Sequence, residues 1–487
     1  MLSARKVRFV EPCGRPGRPF NEWLSRWPLL GPITLATILH EHGYDVRVYN
    51  ENISGPMEQS AAAYEDLCSA DVVGISIMTS TARRGYAIAD RLRTDAPQAT
   101  IVFGGIHATF RPEEAAAHGD VVVRGEGETA IEAIARGDLT SGVVRPEPLA
   151  DLDGLPTLNH FLMHDFDKLL ARCRKRYLYE LPVMTSRGCP HGCTYCTVTQ
   201  MFGRKVRRQS VAKVHRDLQR HAEQGFRTFF FYDDNLTTDR AWTKDLLGRM
   251  RPMRLRFNAQ TRVDLHWEDA HRRRRDDEML KAMRKAGGNL LYIGYETIDD
   301  ATAKQWHKGY RGEGTDLAAR LAEDTRILHD QGVWIHAMFV MGPQHDADTA
   351  KQIVEFSRRC QLESIQISVL TPFPGTPMYD EMRPHLLLDD YPADWDFYDA
   401  AHCVYDHGKL GLEDMQRTVV EAHAEFYRTA WSVRALRQLA ARPITFWDKV
   451  RDLANGLRTA RTTVREWRKD NDLFLAIARE RLAKAAK

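Results

Sequence analysis

One short stretch decides the fold, Arg187-Gly188-Cys189-Pro190-His191-Gly192-Cys193-Thr194-Tyr195-Cys196. It places three cysteines within ten residues, directly after the apolar, strand-like run Val183–Ser186. A cubane iron–sulfur cluster normally takes four thiolates, so three cysteines without a nearby fourth leave one iron open for another ligand. The glycines and the proline suit a loop that folds tightly around a metal centre. The sequence therefore predicts a [4Fe–4S] cluster held by Cys189, Cys193 and Cys196.

Two other interpretations of the cysteines stay open at this stage. A structural zinc site has four ligands, and no fourth ligand with zinc-finger spacing is present, although His191 lies inside the stretch. The three residues could also be unrelated buried thiols, because free cysteine is often buried. The close spacing favours the cluster over both.

The overall composition is that of a cytosolic globular protein. The 487 residues carry a net charge of +3, with 43% hydrophobic and 28% charged residues. This length predicts two or three domains. Residues 1–9 are basic but lack the apolar run of a secretory signal, and no window is apolar enough to span a membrane. We therefore expect a cytoplasmic location, with cysteines that serve as ligands or free thiols and not as disulfides.

Strand-like and helix-like segments alternate through residues 1–150. Short β-branched runs are separated by single helical segments such as Pro32–Glu41 and Ala82–Arg93. This alternation predicts an α/β domain with a doubly wound, Rossmann-like parallel sheet. Its predicted strands are Lys6–Val10, Asp45–Tyr49, Asp71–Met78, Thr100–Phe103 and Val121–Val123.

The alternation continues on a longer scale through residues 151–400. Six strand-like runs separated by helical segments favour a partial (β/α)6 barrel, in which chemistry lies on loops at the carboxyl ends of the strands. Residues 401–487 then form a basic helical C-terminal region. The predicted barrel strands are Val183–Ser186, Thr228–Tyr232, Arg254–Gln260, Leu290–Tyr295, Trp334–Met341 and Ser364–Leu370.

The cysteine spacing, with Tyr195 just before the third cysteine, resembles that of the radical S-adenosylmethionine superfamily. In that superfamily the methionine part of the cofactor chelates the open iron, and reduction of the cluster cleaves the cofactor to a 5′-deoxyadenosyl radical. Later segments resemble the branch that carries cobalamin-binding domains. These segments are Phe230–Asn235, Phe257–Asp264, Tyr292–Thr297 and Thr371–Pro377.

The resemblance implies further cofactor-binding residues around the cluster. Arg262 and Glu296 would contact the amino-acid or ribose part of S-adenosylmethionine, and Gly294 would give backbone clearance beside it. Tyr195 and Asp234 join this set by the same resemblance. Charged residues at strand ends also form ion pairs that stabilise a fold, and Asp233 or Asp234 could instead cap the next helix.

Residues 1–150 resemble the cobalamin-binding domain that precedes many enzymes of this branch. The matching segments are Gly31-Pro32, Gly74–Ser76, Phe103–Thr109 and Arg124–Glu128. Glycines at strand ends, with Gly104 and Gly105 as the candidate cofactor-binding pair, let a large cofactor approach the backbone.

One departure concerns the cobalt ligand. The Asp-x-His-x-x-Gly motif, whose histidine binds cobalt in other cobalamin proteins, is absent, and His107 does not stand in that context. Cobalamin would then bind without a histidine ligand, or the domain would keep its fold without the cofactor. Cys13, after the first strand, is expected to be a free buried thiol.

The C-terminal region is strongly basic. Residues 431–487 contain 14 Lys and Arg against 6 Asp and Glu. Such helices can lie at a membrane interface or pack on the barrel with a solvated charged face, and they do not resemble a nucleic-acid-binding module. The aromatic residues among these charges are Phe446, Trp447, Trp467 and Phe474.

Together these features predict radical chemistry on an unactivated carbon, most simply cobalamin-dependent C-methylation. Cyclisation, rearrangement or oxidation without methyl transfer is the enzymatic alternative, and a cobalamin or iron–sulfur sensor is the alternative without catalysis. A methylthiotransferase would need a second cysteine-rich site, and only Cys13 and Cys68 precede the barrel. The expected partners are a small-molecule substrate such as a lipid or pigment, and an electron donor such as flavodoxin or ferredoxin. The sequence assigns no catalytic side chain.

Overall fold

The computed structural model describes residues 5–16, 26–172, 179–311, 316–429 and 446–485. The β-strands are β1 (Lys6–Glu11), β2 (Asp45–Asn50), β3 (Val72–Ser76), β4 (Thr100–Gly104), β5 (Val121–Val123), β6 (Gly142–Val144), β7 (Glu180–Val183), β8 (Ser186–Arg187), β9 (Arg207–Arg208), β10 (Thr228–Phe231), β11 (Arg256–Thr261), β12 (Gly288–Glu296), β13 (Trp334–Met341) and β14 (Ser364–Val369).

The α-helices lie between these strands and after them. They are α1 (Leu30–Glu41), α2 (Glu51–Ser54), α3 (Ala61–Cys68), α4 (Ala82–Asp95), α5 (Ile106–Phe110), α6 (Pro112–Ala116), α7 (Ile131–Arg136), α8 (Phe166–Arg172), α9 (Val198–Phe202), α10 (Val211–Glu223), α11 (Arg240–Met250), α12 (Asp277–Lys285), α13 (Asp300–Gln305), α14 (Leu317–Asp330), α15 (Ala347–Arg359), α16 (Pro377–Met382), α17 (Leu412–Thr429) and α18 (Phe446–Ala485).

The N-terminal sheet is parallel, with strand order β2-β1-β3-β4-β5-β6. Its central strands are almost wholly buried, as expected of a sheet covered on both faces. The predicted doubly wound sheet is confirmed. Strand β6 was not predicted, because this short run begins with a glycine and its residues are largely exposed.

The second sheet contains six parallel strands that follow one another in chain order, β7-β10-β11-β12-β13-β14. This confirms the predicted partial barrel. The strand predicted at Val183–Ser186 is misplaced, because β7 ends at Val183 and β8 begins at Ser186. Between them the backbone N–H of Thr185 donates to the Asp233 carboxylate (3.2 Å) and not to a neighbouring strand.

Aromatic side chains fill part of the barrel interior. Trp27, which precedes α1, stacks on Phe230 with 4.8 Å between ring centroids and meets Tyr292 edge-on at 6.0 Å. Tyr292 in turn lies 5.0 Å from the ring of His336. The N-terminal segment thus contributes a side chain to the packing of the barrel.

The end of the C-terminal helix packs on the protein core. Trp467 lies 4.3 Å from the His423 ring on α17, and Phe474 is fully buried 5.2 Å from Phe397. This part of α18 therefore packs on the rest of the protein, which is one of the two arrangements predicted for the basic region. The side chains of Phe446 and Trp447 lie outside the described part. Within the described chain, no helix is long and apolar enough to cross a membrane.

Candidate active site at the junction of the two sheets

The cysteines lie in a closed loop, residues 188–206, here called the cluster loop. Its two ends are joined because β8 and β9 pair antiparallel, with Arg187 opposite Arg207. Inside the loop, the N–H of Cys189 donates to the carbonyl of Gly203 (3.3 Å). Gly188 has φ +94°, and a Cβ there would lie 2.7 Å from the Lys205 carbonyl, so glycine is needed to close the loop.

The cluster loop is also attached to the rest of the barrel. The N–H of Thr194 donates to the carbonyl of Trp306 (3.2 Å), and the carbonyl of Thr194 accepts from the N–H of Met378 (3.1 Å). The ring of Tyr195 meets that of Trp306 edge-on at 5.6 Å. The predicted cysteines are therefore presented by a loop fixed at both ends and in its middle.

The donor set fits an iron–sulfur cluster. Cys189, Cys193 and Cys196 are free and half-buried. Across the described residues, no three His, Cys, Asp or Glu side chains converge as the ligands of a single metal ion would. Ligands of a cubane attach to different irons and stand farther apart than the ligands of a single ion. Burial raises the pKa of Cys196 to about 12, so metal binding must displace its proton.

Asp233 and Asp234 follow β10 and behave differently. Asp233 is fully buried and accepts hydrogen bonds from the hydroxyls of Thr185 (2.8 Å) and Ser186, which fixes the chain leading into the cluster loop. The alternative that one of the two caps the next helix is wrong, because Asp239 caps α11. Asp234 faces the space between the two sheets, where burial and then the charge of Asp233 raise its pKa to about 7.

Glu296 and Gly294 lie together at the end of β12. The carboxylate of Glu296 is 2.9 Å from the Lys308 ammonium, and a Cβ on Gly294 would collide with that carboxylate. In this structure the space beside Gly294 is occupied by the ion pair, and clearance for a cofactor there stays a prediction. Lys308 was missed by sequence reasoning because it belongs to no motif, and only the need of Glu296 for a partner could have indicated it.

Arg262 follows β11 and is held by the chain itself. Its guanidinium donates to both oxygens of Asp264 (3.0 and 2.9 Å) and to the carbonyl of Gly309. Although burial opposes it, the Arg262 charge lowers the pKa of Asp264 to about 2. Burial and then the Glu296 charge raise the pKa of Tyr195.

A cleft of about 400 Å³ lies between the N-terminal sheet and the barrel. Its walls are largely apolar and include the carboxyl ends of β3, β4 and β5, with Tyr232, Asp234 and Gln260 on the barrel side. Ligands of open α/β sheets bind at this position. A Cβ on Gly104 would meet nothing within 4 Å, whereas a Cβ on Gly105 would collide with Ile77. Gly104 therefore leaves room for a ligand, and Gly105 permits close backbone packing.

No histidine of the described chain lines this cleft. His107 is fully buried behind it, with Nε2 3.5 Å from Glu114 and its ring 5.1 Å from Trp395. Burial lowers the pKa of His107, so the ring is neutral in this environment. Cys13 lies outside the cleft, and its N–H donates to Glu51 (3.1 Å).

Four charged side chains join the N-terminal sheet to the neck of the cluster loop, which is the paired strands β8 and β9. We call this group the junction clamp, and its members are Glu126, Glu128, Arg187 and Arg207. Arg187 donates to Glu126 (2.5 Å) and Glu128 (2.6 Å), and Arg207 donates to Glu126 (3.0 Å). All four are nearly buried, and the two positive charges balance the two negative ones. Glu126, Glu128 and Arg187 also line the cleft, so the clamp connects it to the cysteines.

Comparisons with known proteins agree with this geometry. Residues 22–135 match the B12 binding domain, and residues 183–357 match the Radical SAM superfamily. The chain is 26% identical to bacteriochlorophyllide d C-12(1)-methyltransferase of Chlorobaculum tepidum, covering 88% of each. It is 26% identical to hopanoid C-2 methylase of Rhodopseudomonas palustris, covering 78% of this chain and 70% of that one. The solved structure of TsrM from Kitasatospora setae, with cobalamin and a [4Fe–4S] cluster bound, has a TM-score of 0.65 at 16% identity, covering 96% of this chain and all of that one.

In this fold, the carboxyl edge of the N-terminal parallel sheet lies opposite the cluster loop of the partial barrel, with the cleft between them. Residues 22–135 carry a B12 binding domain, and residues 183–357 that follow carry a Radical SAM superfamily domain. The two matched domains imply a [4Fe–4S] cluster and S-adenosylmethionine in the barrel and cobalamin at the N-terminal sheet. The three cysteines supply the thiolates that a [4Fe–4S] cluster takes, and the cleft lies where ligands of open α/β sheets bind.

Proposed function

We propose that the protein transfers a methyl group to an unactivated carbon of a small, largely apolar molecule. The observation that carries this proposal is the position of the cleft, which lies between the cobalamin-type sheet and the cluster loop and is bounded by residues of both. A ligand in the cleft would therefore be close to both cofactor sites. Radical chemistry without cobalamin would need only the barrel half of this arrangement.

The side chains have distinct parts in this proposal. Cys189, Cys193 and Cys196 would hold the cluster, Gly104 would admit cobalamin to the edge of the N-terminal sheet, and Gly105 would let the backbone pack closely beside it. Tyr195, Asp234, Arg262, Gly294 and Glu296 surround S-adenosylmethionine. When bound, the cluster and S-adenosylmethionine supply the one-electron chemistry, and cobalamin supplies the methyl transfer.

The protein supplies orientation and a dry site. The junction clamp fixes the neck of the cluster loop against the cobalamin side, and Asp233 fixes the strand end in front of it. Lys308 neutralises Glu296, so that carboxylate is already oriented before a ligand arrives. The apolar walls of the cleft exclude water from the reacting carbon.

The substrate class follows from the cleft and the relatives. The relatives are named for methylation of a tetrapyrrole pigment and of a hopanoid lipid. The apolar wall of the cleft opposite the glycine edge, formed by Val198, Met201 and Phe202, suits molecules of that kind. We therefore propose a pigment or a lipid as substrate. A cytoplasmic location and reduction by a carrier such as flavodoxin or ferredoxin belong to the same proposal.

The test uses anaerobic protein with a reconstituted cluster, hydroxocobalamin, S-adenosylmethionine, a strong reductant and pigment or lipid extracts. We expect 5′-deoxyadenosine and a product heavier than its substrate by one CH2, and neither with Cys193→Ala. A product of unchanged carbon content would replace methylation by cyclisation, rearrangement or oxidation. Absence of 5′-deoxyadenosine above the Cys193→Ala background would contradict radical chemistry and favour a sensor.

A further inference from the structure

The outer side of the cluster loop carries two exposed cations, Arg204 and Lys205. They belong to the basic run Arg204-Lys205-Val206-Arg207-Arg208. Arg207 pairs with Glu126 and Arg208 with Asp239 (3.2 Å). Within the described residues, neither Arg204 nor Lys205 lies within ion-pair distance of a carboxylate. Two uncompensated positive charges therefore face solvent at this loop.

These two cations are attached directly to the cysteine segment. The Arg204 guanidinium donates to the carbonyl of Pro190, with Nη2 at 3.1 Å and Nε at 3.4 Å. The carbonyl of the preceding Gly203 accepts from the N–H of Cys189 (3.3 Å). The Lys205 backbone packs against Gly188 so tightly that a Cβ there would collide with it. Arg204 therefore bonds to the residue after Cys189 and itself follows the residue that accepts from Cys189, a predicted cluster ligand.

We propose that Arg204 and Lys205 form the docking surface for an acidic one-electron carrier protein that reduces the cluster. The inference rests on the proposed function, since it requires a redox cluster in this loop. One electron leaves the carrier, which is oxidised, and enters the cluster, which is reduced; no bond or proton changes place. Transfer of this kind needs close approach of the two centres, and this surface brings a carrier close to Cys189.

The size and polarity of the patch favour a transient protein partner. Weak redox encounters bury little surface, so a small charged patch is sufficient to orient them. Opposite charges raise the rate of such encounters more than their affinity. A membrane face would need exposed apolar side chains as well, and among the described residues the large exposed ones are Val143, Phe161 and Leu473, none of which lies in the cluster loop.

The test compares reduction rates of the full-length, cluster-loaded protein by a reduced acidic flavodoxin, followed by anaerobic stopped-flow absorbance. The variant is Arg204→Glu/Lys205→Glu. The matched control is Lys281→Glu/Lys285→Glu, an identical charge change at two exposed positions on α12, on the outside of the barrel. Iron content and reduction by dithionite, a small reductant that needs no docking surface, report whether the cluster loop is intact.

We expect the flavodoxin rate of the variant to fall about tenfold or more at low ionic strength and to lose most of its salt dependence. The control should stay within about twofold of wild type, because its charges lie away from the docking surface. Arg204→Gln/Lys205→Gln, which keeps a hydrogen-bond donor towards Pro190, should give an intermediate rate.

Equal flavodoxin rates in wild type and variant, or an equal loss in the control, would overturn the docking surface. A selective loss of dithionite reduction or of iron in the variant would also overturn it, because the charges would then be maintaining the loop. Failure of the proposed function is a different result. In that case the wild-type cluster itself would not form or would not respond to S-adenosylmethionine.

Discussion

The two sheets of this protein have the same number of parallel strands and end at the same cleft, but their strand ends differ in chemistry. The N-terminal sheet ends in glycines such as Gly104 and Gly105 and in apolar side chains. The barrel ends in charged residues, including Asp233, Arg262 and Glu296. The first kind of edge leaves space for a large ligand, and the second holds a metal loop and polar groups in fixed positions.

The difference shows how one site can divide two tasks between two folds. Apolar burial at the glycine edge scales with contact area and tolerates a bulky ligand. The ion pairs at the barrel edge are almost buried, so each depends on its partner remaining in place. The junction clamp joins the two edges, because Glu126 and Glu128 follow β5 of the N-terminal sheet while Arg187 and Arg207 lie in β8 and β9.

The largest expected effect is at the cysteines. Cys193→Ala removes one of three proposed cluster ligands, so we expect loss of the [4Fe–4S] absorbance and of most bound iron, with the fold retained by circular dichroism. The control is Cys360→Ala, a half-buried cysteine at the end of α15, which should keep its iron. Full iron content in Cys193→Ala would contradict the ligand assignment.

The second effect concerns the junction clamp. Arg187→Met leaves Glu126 and Glu128 without their shared partner in a buried site, and we expect a loss of about 3–5 kcal/mol in the free energy of unfolding. Arg208→Met removes a more exposed pair and should cost about 1 kcal/mol or less. Urea unfolding curves measure both. Equal losses would mean that the clamp is no different from a surface ion pair.

The third effect tests the glycine edge. Gly104→Leu points a side chain into open space in the cleft, so the protein should fold while its affinity for hydroxocobalamin falls about tenfold or more, equivalent to about 1.4 kcal/mol. Gly154→Leu, at another glycine with open space but outside the cleft, should bind as wild type does. Equilibrium dialysis decides, and unchanged affinity in Gly104→Leu would place cobalamin elsewhere.

The smallest effect is a pH dependence at a buried contact that joins the N-terminal segment to the C-terminal helix. His402 lies 3.0 Å from Asp399 and 3.0 Å from Asp470 on α18, and Asp470 also pairs with Arg15 (2.5 Å). Burial acts to lower the pKa of His402, but the two carboxylates raise it above its ordinary value.

Because the pKa of His402 is raised on folding, its stabilisation is complete below about pH 6.5 and is lost as the pH rises through the folded-state pKa. We therefore expect the urea midpoint of wild type to fall over that range more than that of His402→Gln. Parallel pH profiles of the two proteins would show that this contact does not titrate.

Much of the fold was predictable because its signals are local. The β-branched runs and single intervening helices indicated both parallel sheets, and the cysteine spacing indicated the cluster loop. The misplaced strand at Val183–Ser186 was not predictable, since it depends on Asp233, 48 residues away from Thr185. The junction clamp joins Arg187 to Glu126 across 61 positions, and Lys308 belongs to no motif. Ion pairs between distant segments leave no periodic trace in a sequence.

The central claim is that the three cysteines hold a cluster with one iron open to S-adenosylmethionine, next to a cobalamin site. The most direct test is the electron paramagnetic resonance spectrum of the anaerobically reconstituted, reduced protein, recorded with and without S-adenosylmethionine. We predict a [4Fe–4S] signal that changes when S-adenosylmethionine is added and is absent in Cys193→Ala. A spectrum indifferent to S-adenosylmethionine, or zinc in place of iron, would contradict the account.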